Sequence, residues 1–216
     1  MKAFIITPFL TESIQKTVHI AENDLVVCAD VAYLAAKKEY IEPNVIIGDF
    51  DHGENDAPSC STAEFIRVPS EKDDTDTMLC VKYALEKGAD EILIVGGIGG
   101  RLDHTFANLQ TLAYIEAHGA HGRLISEDNE AFLVRSDATV TRREGWYLSV
   151  FAYDSVCTGV TLKGTKYEVD GVSLTTAFPL GVSNEIMADK ALIYVQNGTL
   201  LVILSKKDCS LFRIFY

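Results

Sequence analysis

The sequence contains no apolar run that approaches the roughly 18 residues of a membrane-spanning helix. Its start, MKAFIITPFLTES, lacks the small-residue pattern of a signal-peptide cleavage site. Only five of the 216 residues are proline, and no tract is biased in composition, which excludes collagen, linker and low-complexity classes. We therefore expect a soluble, cytoplasmic protein without a membrane partner.

Basic residues are scarce, because 19 Lys and Arg stand against 31 Asp and Glu and the formal net charge is −12. A chain this acidic repels the phosphate backbone of nucleic acids, so we expect no nucleic-acid partner. The same charge suits a cationic ligand, or a polyanion that arrives together with a divalent metal ion.

Cysteine pairs with a recognisable spacing are also missing. The sequence has an odd number of cysteines, no CxxC pattern, and thiols that fall mostly in apolar stretches: Cys28, Cys60, Cys80, Cys157 and Cys209. This usage is typical of buried thiols in a reducing cytoplasm rather than of disulfides or a zinc site.

The pattern of apolar residues changes near residue 136. Before that point, short continuous apolar runs occur at 2–7, 25–29, 44–48, 65–68, 91–96 and 122–126. Helical periodicity between them predicts helices over 75–87 and 103–118. Continuous apolar runs are typical of strands buried on both faces of a sheet. We predict an α/β N-terminal domain with a mostly parallel sheet at residues 1–136.

After residue 136 the sequence is typical of β-structure. Segments rich in Val, Thr, Tyr and Leu alternate with Gly or Asn turns, and no helical periodicity occurs. QNGTL at 196–200 predicts a β-hairpin, because Asn197 and Gly198 both tolerate positive φ. We predict a small all-β sandwich domain at residues 137–216.

Acidic residues concentrate just after the predicted strands and at the predicted helix starts: Asp30, Asp49, Asp51, Asp73, Asp74, Asp76 and Asp103. In an open α/β sheet such loops share one edge, where ligands bind. Two carboxylates about 4 Å apart repel by roughly 4 kcal/mol at an effective dielectric near 20, so the cluster needs a counter-charge. Oxygen ligands favour Mg²⁺, which substrate phosphates usually complete.

The segment GGIGGRLDH at 96–104 is the most informative one. Four glycines between a buried strand and a helix allow the backbone to approach a phosphate chain, and Arg101 offers a fork of donors. The segment matches neither GxxxxGK nor GxGxxG, so a Rossmann dinucleotide site is not predicted. Each motif also has a purely structural explanation. GGIGGRLDH could be a turn in which Arg101 is paired within the protein, and DDTD could be the start of a helix capped by Asp74 or Thr75.

Six motifs occur in a fixed order: ADVAYL, PNVIIGDFD, DDTD, GGIGGRLDH with a later Asn108, LKGTKY and LGVSNE. In this set and order the chain resembles thiamine pyrophosphokinases of the bacterial type. The resemblance implies an α/β domain that binds ATP and Mg²⁺, a β-sandwich that binds thiamine, and a homodimer. It also implies transfer of pyrophosphate from Mg·ATP to thiamine, which yields thiamine diphosphate and AMP.

The resemblance further implies roles for single residues. The implied metal ligands are Asp49, Asp51, Asp76 and Asp103, and the implied catalytic residues are Asp76, Arg101 and Asp103. The nucleotide is expected to contact Asp30, Lys72, Asp73, Thr75, Arg101, His104 and Asn108. Thiamine is expected to contact Ser183 and Asn184. The chain departs from the family pattern in the residues after Asp30 and at His52, which follows GDFD.

Three alternatives use the same acidic site. A Mg²⁺-dependent phosphohydrolase would activate water, a pterin pyrophosphokinase would change the acceptor pocket, and a noncatalytic sensor would bind nucleotide without turnover. LKGTKY and SNE favour thiamine over pterin. The presence of both Arg101 and Asp103 favours an enzyme over a sensor.

Overall fold

A computed structural model of the protein describes residues 1–50, 62–71 and 73–207. The chain divides into two units, the first comprising residues 1–127 and the second beginning at Asp128. The sequence-based division at residues 136 and 137, with a function assigned to each part, stays a prediction.

The first unit contains six strands in its described residues: β1 (Lys2–Ile6), β2 (Leu25–Ala29), β3 (Val45–Gly48), β4 (Glu64–Arg67), β5 (Glu91–Val95) and β6 (His121–Ile125). Neighbouring strands pair in parallel in the order β4-β3-β2-β1-β5-β6. Phe4, Ile46 and Ile94 are buried, as expected for strands covered on both faces. The predicted α/β domain with a mostly parallel sheet is confirmed.

The described part of this unit has four α-helices: α1 (Ile14–Thr17), α2 (Tyr33–Lys38), α3 (Asp76–Glu86) and α4 (Leu102–Ala117). The two longer helices lie where helical periodicity predicts them. Each ends shortly before a glycine in the left-handed region, Gly88 for α3 and Gly119 for α4. In the described ranges of the chain, no helix is long and apolar enough to cross a membrane.

The cysteines that the structure describes are buried free thiols: Cys28, Cys80 and Cys157. Burial raises the pKa of the Cys28 thiol to about 12, so this group stays protonated at neutral pH. The predicted buried thiols are confirmed at these positions, while Cys60 and Cys209 lie outside the described residues.

The second unit contains seven strands in its described part: β7 (Asn129–Val134), β8 (Asp137–Thr141), β9 (Trp146–Ala152), β10 (Val156–Lys163), β11 (Val169–Thr175), β12 (Lys190–Tyr194) and β13 (Leu200–Lys206). They pair antiparallel as β7-β13-β9 and as β11-β10-β12-β8. Leu148 and Val202 of one group share a core with Val160 and Ile193 of the other. The predicted β-sandwich is confirmed.

The predicted hairpin at 196–200 is wrong. Strand β12 pairs with β8 and β10, whereas β13 pairs with β7 and β9, so this segment connects the two sheets. The N–H of Thr158 donates to the carbonyl of Asn197 at 2.9 Å. A Cβ on Gly198, whose φ is 96°, would lie 2.9 Å from Sγ of Cys157. The Asn-Gly pair therefore lets the chain pass close to β10, and it does not form the turn of a two-stranded hairpin.

Candidate active site

The loops that carry most of the predicted site residues lie at the carboxyl edge of the parallel sheet. Chain order reverses between β1 and β5, because β2, β3 and β4 lie on one side of β1 and β5 and β6 on the other. Ligands of open α/β sheets bind outside the carboxyl ends of the strands at such a reversal. Residues 7–9, after β1, and residues 96–101, after β5, flank this point.

The segment between β5 and α4, residues 96–100, is called here the glycine loop. Its four glycines all have positive φ: Gly96 (84°), Gly97 (71°), Gly99 (99°) and Gly100 (63°). L side chains rarely adopt such angles, so the backbone conformation itself calls for glycine. From the side of β1, the carbonyl of Phe9 accepts the N–H of Gly97 at 2.7 Å.

Asn108 holds the glycine loop from the side of α4. Its buried amide donates to the carbonyl of Gly97 at 3.0 Å. A Cβ on Gly97 would lie 2.4 Å from Nδ2 of Asn108, which is a second reason for glycine there. One turn earlier, Thr105 accepts the N–H of Gly99 at 3.0 Å. Asn108 therefore supports the loop, and its contact with a nucleotide stays a prediction.

Sequence reasoning missed two residues at this edge, Thr7 and Phe9. The buried hydroxyl of Thr7 donates to the carbonyl of Val95 at 3.0 Å and ties the end of β1 to the end of β5. The ring of Phe9 lies against Gly99 and Gly100, and the residue as a whole is 41% exposed. A Thr-Pro-Phe sequence after a buried strand indicates only a turn, because these contacts arise from the pairing of β1 with the distant β5.

Arg101 and Asp103 form an ion pair at the start of α4. Nη2 of Arg101 lies 2.6 Å from Oδ2 of Asp103, and Nε donates to Oδ1 at 3.2 Å. The hydrogen bond from Arg101 holds the pKa of Asp103 below its ordinary value, and the N–H of His104 adds to this effect. The side chains are 74% and 64% exposed, so the guanidinium is accessible to a ligand.

The start of α3 holds the DDTD residues. The hydroxyl of Thr75 accepts the N–H of Met78 at 3.1 Å, so the capping alternative is confirmed for this residue. Asp74 pairs with Lys82 at 2.6 Å. Asp76 is half-buried in the first helical turn, where the helix dipole favours negative charge, and Asp73 is exposed. Contacts of Asp73, Thr75 and Asp76 with a ligand stay predictions.

Asp30 and Asp49 follow the neighbouring strands β2 and β3. Asp30 is buried and has a φ of 45°. A Cβ on Gly48 would lie 2.8 Å from Cα and 2.9 Å from Oδ1 of Asp30. The glycine that ends β3 therefore leaves room for Asp30, and this packing brings Asp30 beside the chain segment that carries Asp49.

The carboxylates at this edge come from separate loops. In residues 1–50, 62–71 and 73–207, no group of three or more His, Cys, Asp or Glu side chains could hold a metal ion. Asp51 and Lys72, both predicted for this site, lie outside the described residues. Dispersed oxygen donors fit Mg²⁺, because this ion keeps several waters and takes substrate phosphates as ligands.

Ser183 and Asn184, predicted to bind thiamine, belong to the second unit. Asn184 is 5% exposed; its Oδ1 accepts the N–H of Tyr167 at 3.0 Å, and its Nδ2 donates to the carbonyl of Tyr167 at 2.8 Å. Ser183 is exposed with a φ of 57°, and its N–H donates to Oγ of Ser149 at 3.1 Å. Asn184 therefore clamps the Tyr167 segment, and thiamine contacts of both residues stay predictions.

A cleft of about 610 Å³ lies at the opposite, amino edge of the sheet. Its lining includes Glu22, Asp24, Val26, Tyr40 and Asn44, and it contains none of the predicted site residues. The candidate active site is therefore assigned to the carboxyl edge on its chemistry and topology rather than on the size of a cleft.

Comparison with known proteins decides the family. A family model described as the catalytic domain of thiamin pyrophosphokinase matches residues 18–122, and one described as its vitamin B1 binding domain matches residues 136–201. The chain belongs to the thiamine pyrophosphokinase family. The resemblance seen in the six motifs is confirmed, and the phosphohydrolase and pterin pyrophosphokinase alternatives are not favoured.

Individual members of the thiamine pyrophosphokinase family are similar to this chain. The thiamine pyrophosphokinase of Bacillus subtilis (strain 168) is 31% identical over 138 residues, which is 63% of this chain and 64%, or less than two thirds, of that protein. A crystal structure of thiamine pyrophosphokinase from Bacillus subtilis matches with a TM-score of 0.85 at 25% identity, covering 97% of this chain and 100% of that one. The structure from Geobacillus thermodenitrificans, at 23% identity, has the same fold, with a TM-score of 0.84 and coverage of 97% and 99%.

The two thiamine pyrophosphokinase models divide the candidate residues between them. The catalytic-domain match contains the glycine loop, Arg101 and Asn108, and the vitamin B1 binding match contains Asn184. Thr7 and Phe9 precede both matches, so their roles depend on the contacts of this chain alone.

Proposed function

We propose that this chain is a thiamine diphosphokinase, which transfers the pyrophosphoryl group of Mg·ATP to the hydroxyl group of thiamine. The products are thiamine diphosphate and AMP. The observation that carries the proposal is the glycine loop, followed by Arg101, at the chain reversal of the sheet in a member of this family. The loop leads into the N-terminus of α4, where phosphates bind favourably.

The reaction exchanges one phosphorus–oxygen bond for another. The hydroxyl oxygen of thiamine bonds to the β-phosphorus of ATP, and the bond from that phosphorus to the oxygen bridging to the α-phosphorus breaks. AMP leaves with the bridging oxygen, and the hydroxyl proton passes to a carboxylate, Asp76 or Asp103. Arg101 donates from its planar guanidinium to phosphate oxygens as charge builds on them. Positioning of the two substrates supplies much of the rate enhancement.

The metal and nucleotide contacts follow the family resemblance. Mg²⁺ bound with ATP would neutralise phosphate charge, and its ligands would be Asp49, Asp51, Asp76 and Asp103. The proposed nucleotide contacts are Asp30, Lys72, Asp73, Thr75, Arg101, His104 and Asn108. Of these, Asn108 already holds the glycine loop, so its contribution includes the support of that loop.

We extend the proposal to thiamine binding by Ser183 and Asn184, to a homodimer and to the cytoplasm. The buried free thiols of Cys28, Cys80 and Cys157 suit a reducing compartment. Light scattering on the purified protein should give twice the 23.7 kDa mass of one chain. A particle of single-chain mass would contradict the dimer without touching the proposed reaction.

Product analysis tests the reaction. The protein is incubated with Mg·ATP, with and without thiamine, and the products are identified by mass spectrometry. We expect AMP and thiamine diphosphate in equal amounts, and only when thiamine is present. ADP as the stoichiometric product, or nucleotide turnover indifferent to thiamine, would contradict the proposal, and release of free phosphate would indicate a hydrolase.

Asp76→Asn tests the site with a matched control. Loss of a charge that acts on the transferred group should lower kcat by about a hundredfold or more, the scale of a lost transition-state contact. Asp74→Asn makes the same change two residues away and removes only the ion pair with Lys82, so its kcat should stay close to that of the unmodified protein. A kcat in Asp76→Asn as high as that of the unmodified protein and of Asp74→Asn would exclude Asp76 from the reaction.

A further inference from the structure

Phe9 is a residue of the carboxyl edge that the proposed reaction does not use. A Cβ on Gly99 would lie 3.2 Å from Cε1 of its ring, and a Cβ on Gly100 would lie 2.7 Å from Cε2. The carbonyl of Phe9 accepts the N–H of Gly97 and would be 2.4 Å from a Cβ on Gly96. Phe9 therefore contacts all four glycines of the loop, two through its ring and two through its main chain.

A loop of four glycines needs its shape imposed from outside. Glycine populates many backbone conformations with little cost, so the positive φ angles of this loop are one choice among several. Asn108 fixes the carbonyl of Gly97 from the helix side. On the other side, the ring of Phe9 lies where side chains of Gly99 and Gly100 would otherwise project, and it limits how far those two residues can move.

We propose that Phe9 is a positioning residue whose ring holds the glycine loop in the shape that receives the phosphates of the nucleotide. This inference rests on the proposed function, because it takes the glycine loop as a phosphate site. The ring acts through the loop and does not touch the reacting atoms. Since Phe9 is 41% exposed, its truncation leaves no core cavity and the fold should persist.

The expected signature of a loop support is a loss of affinity that depends on the phosphates. In Phe9→Ala, the dissociation constants of adenosine, ADP and ATP are measured by competition calorimetry with Mg²⁺ present. If the unsupported loop keeps its binding shape for about a tenth of the time, the apparent affinity for ATP falls about tenfold. ADP should follow ATP, whereas adenosine, which lacks phosphates, should change by less than about twofold.

A matched control and a double-mutant cycle complete the experiment. Tyr40→Ala removes the ring of a residue that is 95% exposed at the amino edge, and this variant should bind all three ligands as the unmodified protein does. Gly100→Ala should weaken ATP binding more in the unmodified chain than in Phe9→Ala, because the added methyl group meets the ring only where the ring is present.

Several results would overturn the inference. An unchanged affinity for ATP in Phe9→Ala would overturn it. An equal loss of affinity for adenosine, ADP and ATP would also overturn it, because the ring would then contact the adenine base rather than support the phosphate site. Equal effects of Gly100→Ala in both backgrounds would also do so. If Phe9→Ala does not fold, Phe9→Leu, which keeps apolar volume without the planar ring, takes its place. An unmodified protein that binds ATP but forms no thiamine diphosphate would contradict the proposed function alone.

Discussion

Arg101 and Asp103 show how a pair of residues can be held ready for a ligand. The start of α4 lets two donors of one guanidinium meet both oxygens of one carboxylate. Both side chains are mostly in solvent, where such a pair contributes little to stability. A phosphate that takes over the guanidinium therefore displaces only a weak interaction.

At this scale, Arg101→Gln should raise the pKa of Asp103. That pKa is below its ordinary value, first because of the hydrogen bond from Arg101. A lowered folded-state pKa stabilises the chain above the unfolded pKa, and the contribution is lost as pH falls through the lowered pKa. Carbon-13 NMR titration of the carboxyl group measures the change. In Arg101→Lys, which keeps the charge but loses the planar two-donor geometry, the pKa of Asp103 should lie between those of the unmodified protein and Arg101→Gln. An unchanged pKa of Asp103 in Arg101→Gln would show that Arg101 does not lower it.

Asn184→Asp should loosen the Tyr167 segment. The substitution keeps an acceptor for the N–H of Tyr167 but replaces the donor facing the carbonyl of Tyr167 by an oxygen. A buried group that loses its partner costs about 1–3 kcal/mol. Urea denaturation at neutral pH measures this loss. Ser183→Ala, an exposed neighbour, should change the free energy of unfolding by less than about 0.5 kcal/mol, and equal stabilities of the two variants would refute the clamp.

At the scale of a whole element, the stability of helix α3 depends on a single capping side chain. Its first turn depends on the hydroxyl of Thr75, which accepts the N–H of Met78. Thr75→Ala should lower the free energy of unfolding by about 1 kcal/mol, the usual cost of a lost helix cap. Thr75→Ser keeps the acceptor and should recover most of this stability in the same denaturation experiment. If both variants match the unmodified chain, the hydroxyl does not cap the helix in solution.

Elements set by local signals were predictable from the sequence. The strands β1 to β6 follow from continuous apolar runs, and α3 and α4 follow from helical periodicity and the glycines behind them. In the second unit, the failures depend on pairing between distant residues. The segment at 196–200 has a strong hairpin signal, yet β13 finds its partners in β7 and β9, and β7 itself was not predicted.

In the candidate site, too, contacts between residues close in sequence were predictable and contacts between distant residues were not. Arg101, Asp103 and His104 are close in sequence, so their meeting at the start of α4 was predictable. The support of the glycine loop was not, because it joins Phe9 to Gly97 across 88 positions of sequence. The use of the Asn184 amide to hold Tyr167 also depends on a contact between distant segments.

For the molecule as a whole, the net charge of −12 opposes the binding of a polyanionic substrate that carries no metal ion. ATP without metal is repelled by this surplus, and Mg²⁺ reduces the repulsion by neutralising phosphate charge. The long-range part of the repulsion is screened by salt, since the Debye length falls from about 30 Å at 0.01 M to about 10 Å at 0.1 M ionic strength.

We therefore expect Mg²⁺ to strengthen the binding of ATP, and added salt to strengthen the binding of metal-free ATP. At a basic site, added salt would weaken the binding of ATP. Removing Mg²⁺ with EDTA should weaken ATP binding by about tenfold or more, a free energy of about 1.4 kcal/mol. In EDTA, raising the ionic strength from about 0.01 to about 0.1 M should strengthen the residual binding, because it screens like charges. Adenosine, which is uncharged, serves as the control and should bind equally under all these conditions. If added salt instead weakens metal-free ATP binding, local cations such as Arg101 outweigh the net charge of the chain, and the acidic surface has no part in making the site depend on the metal.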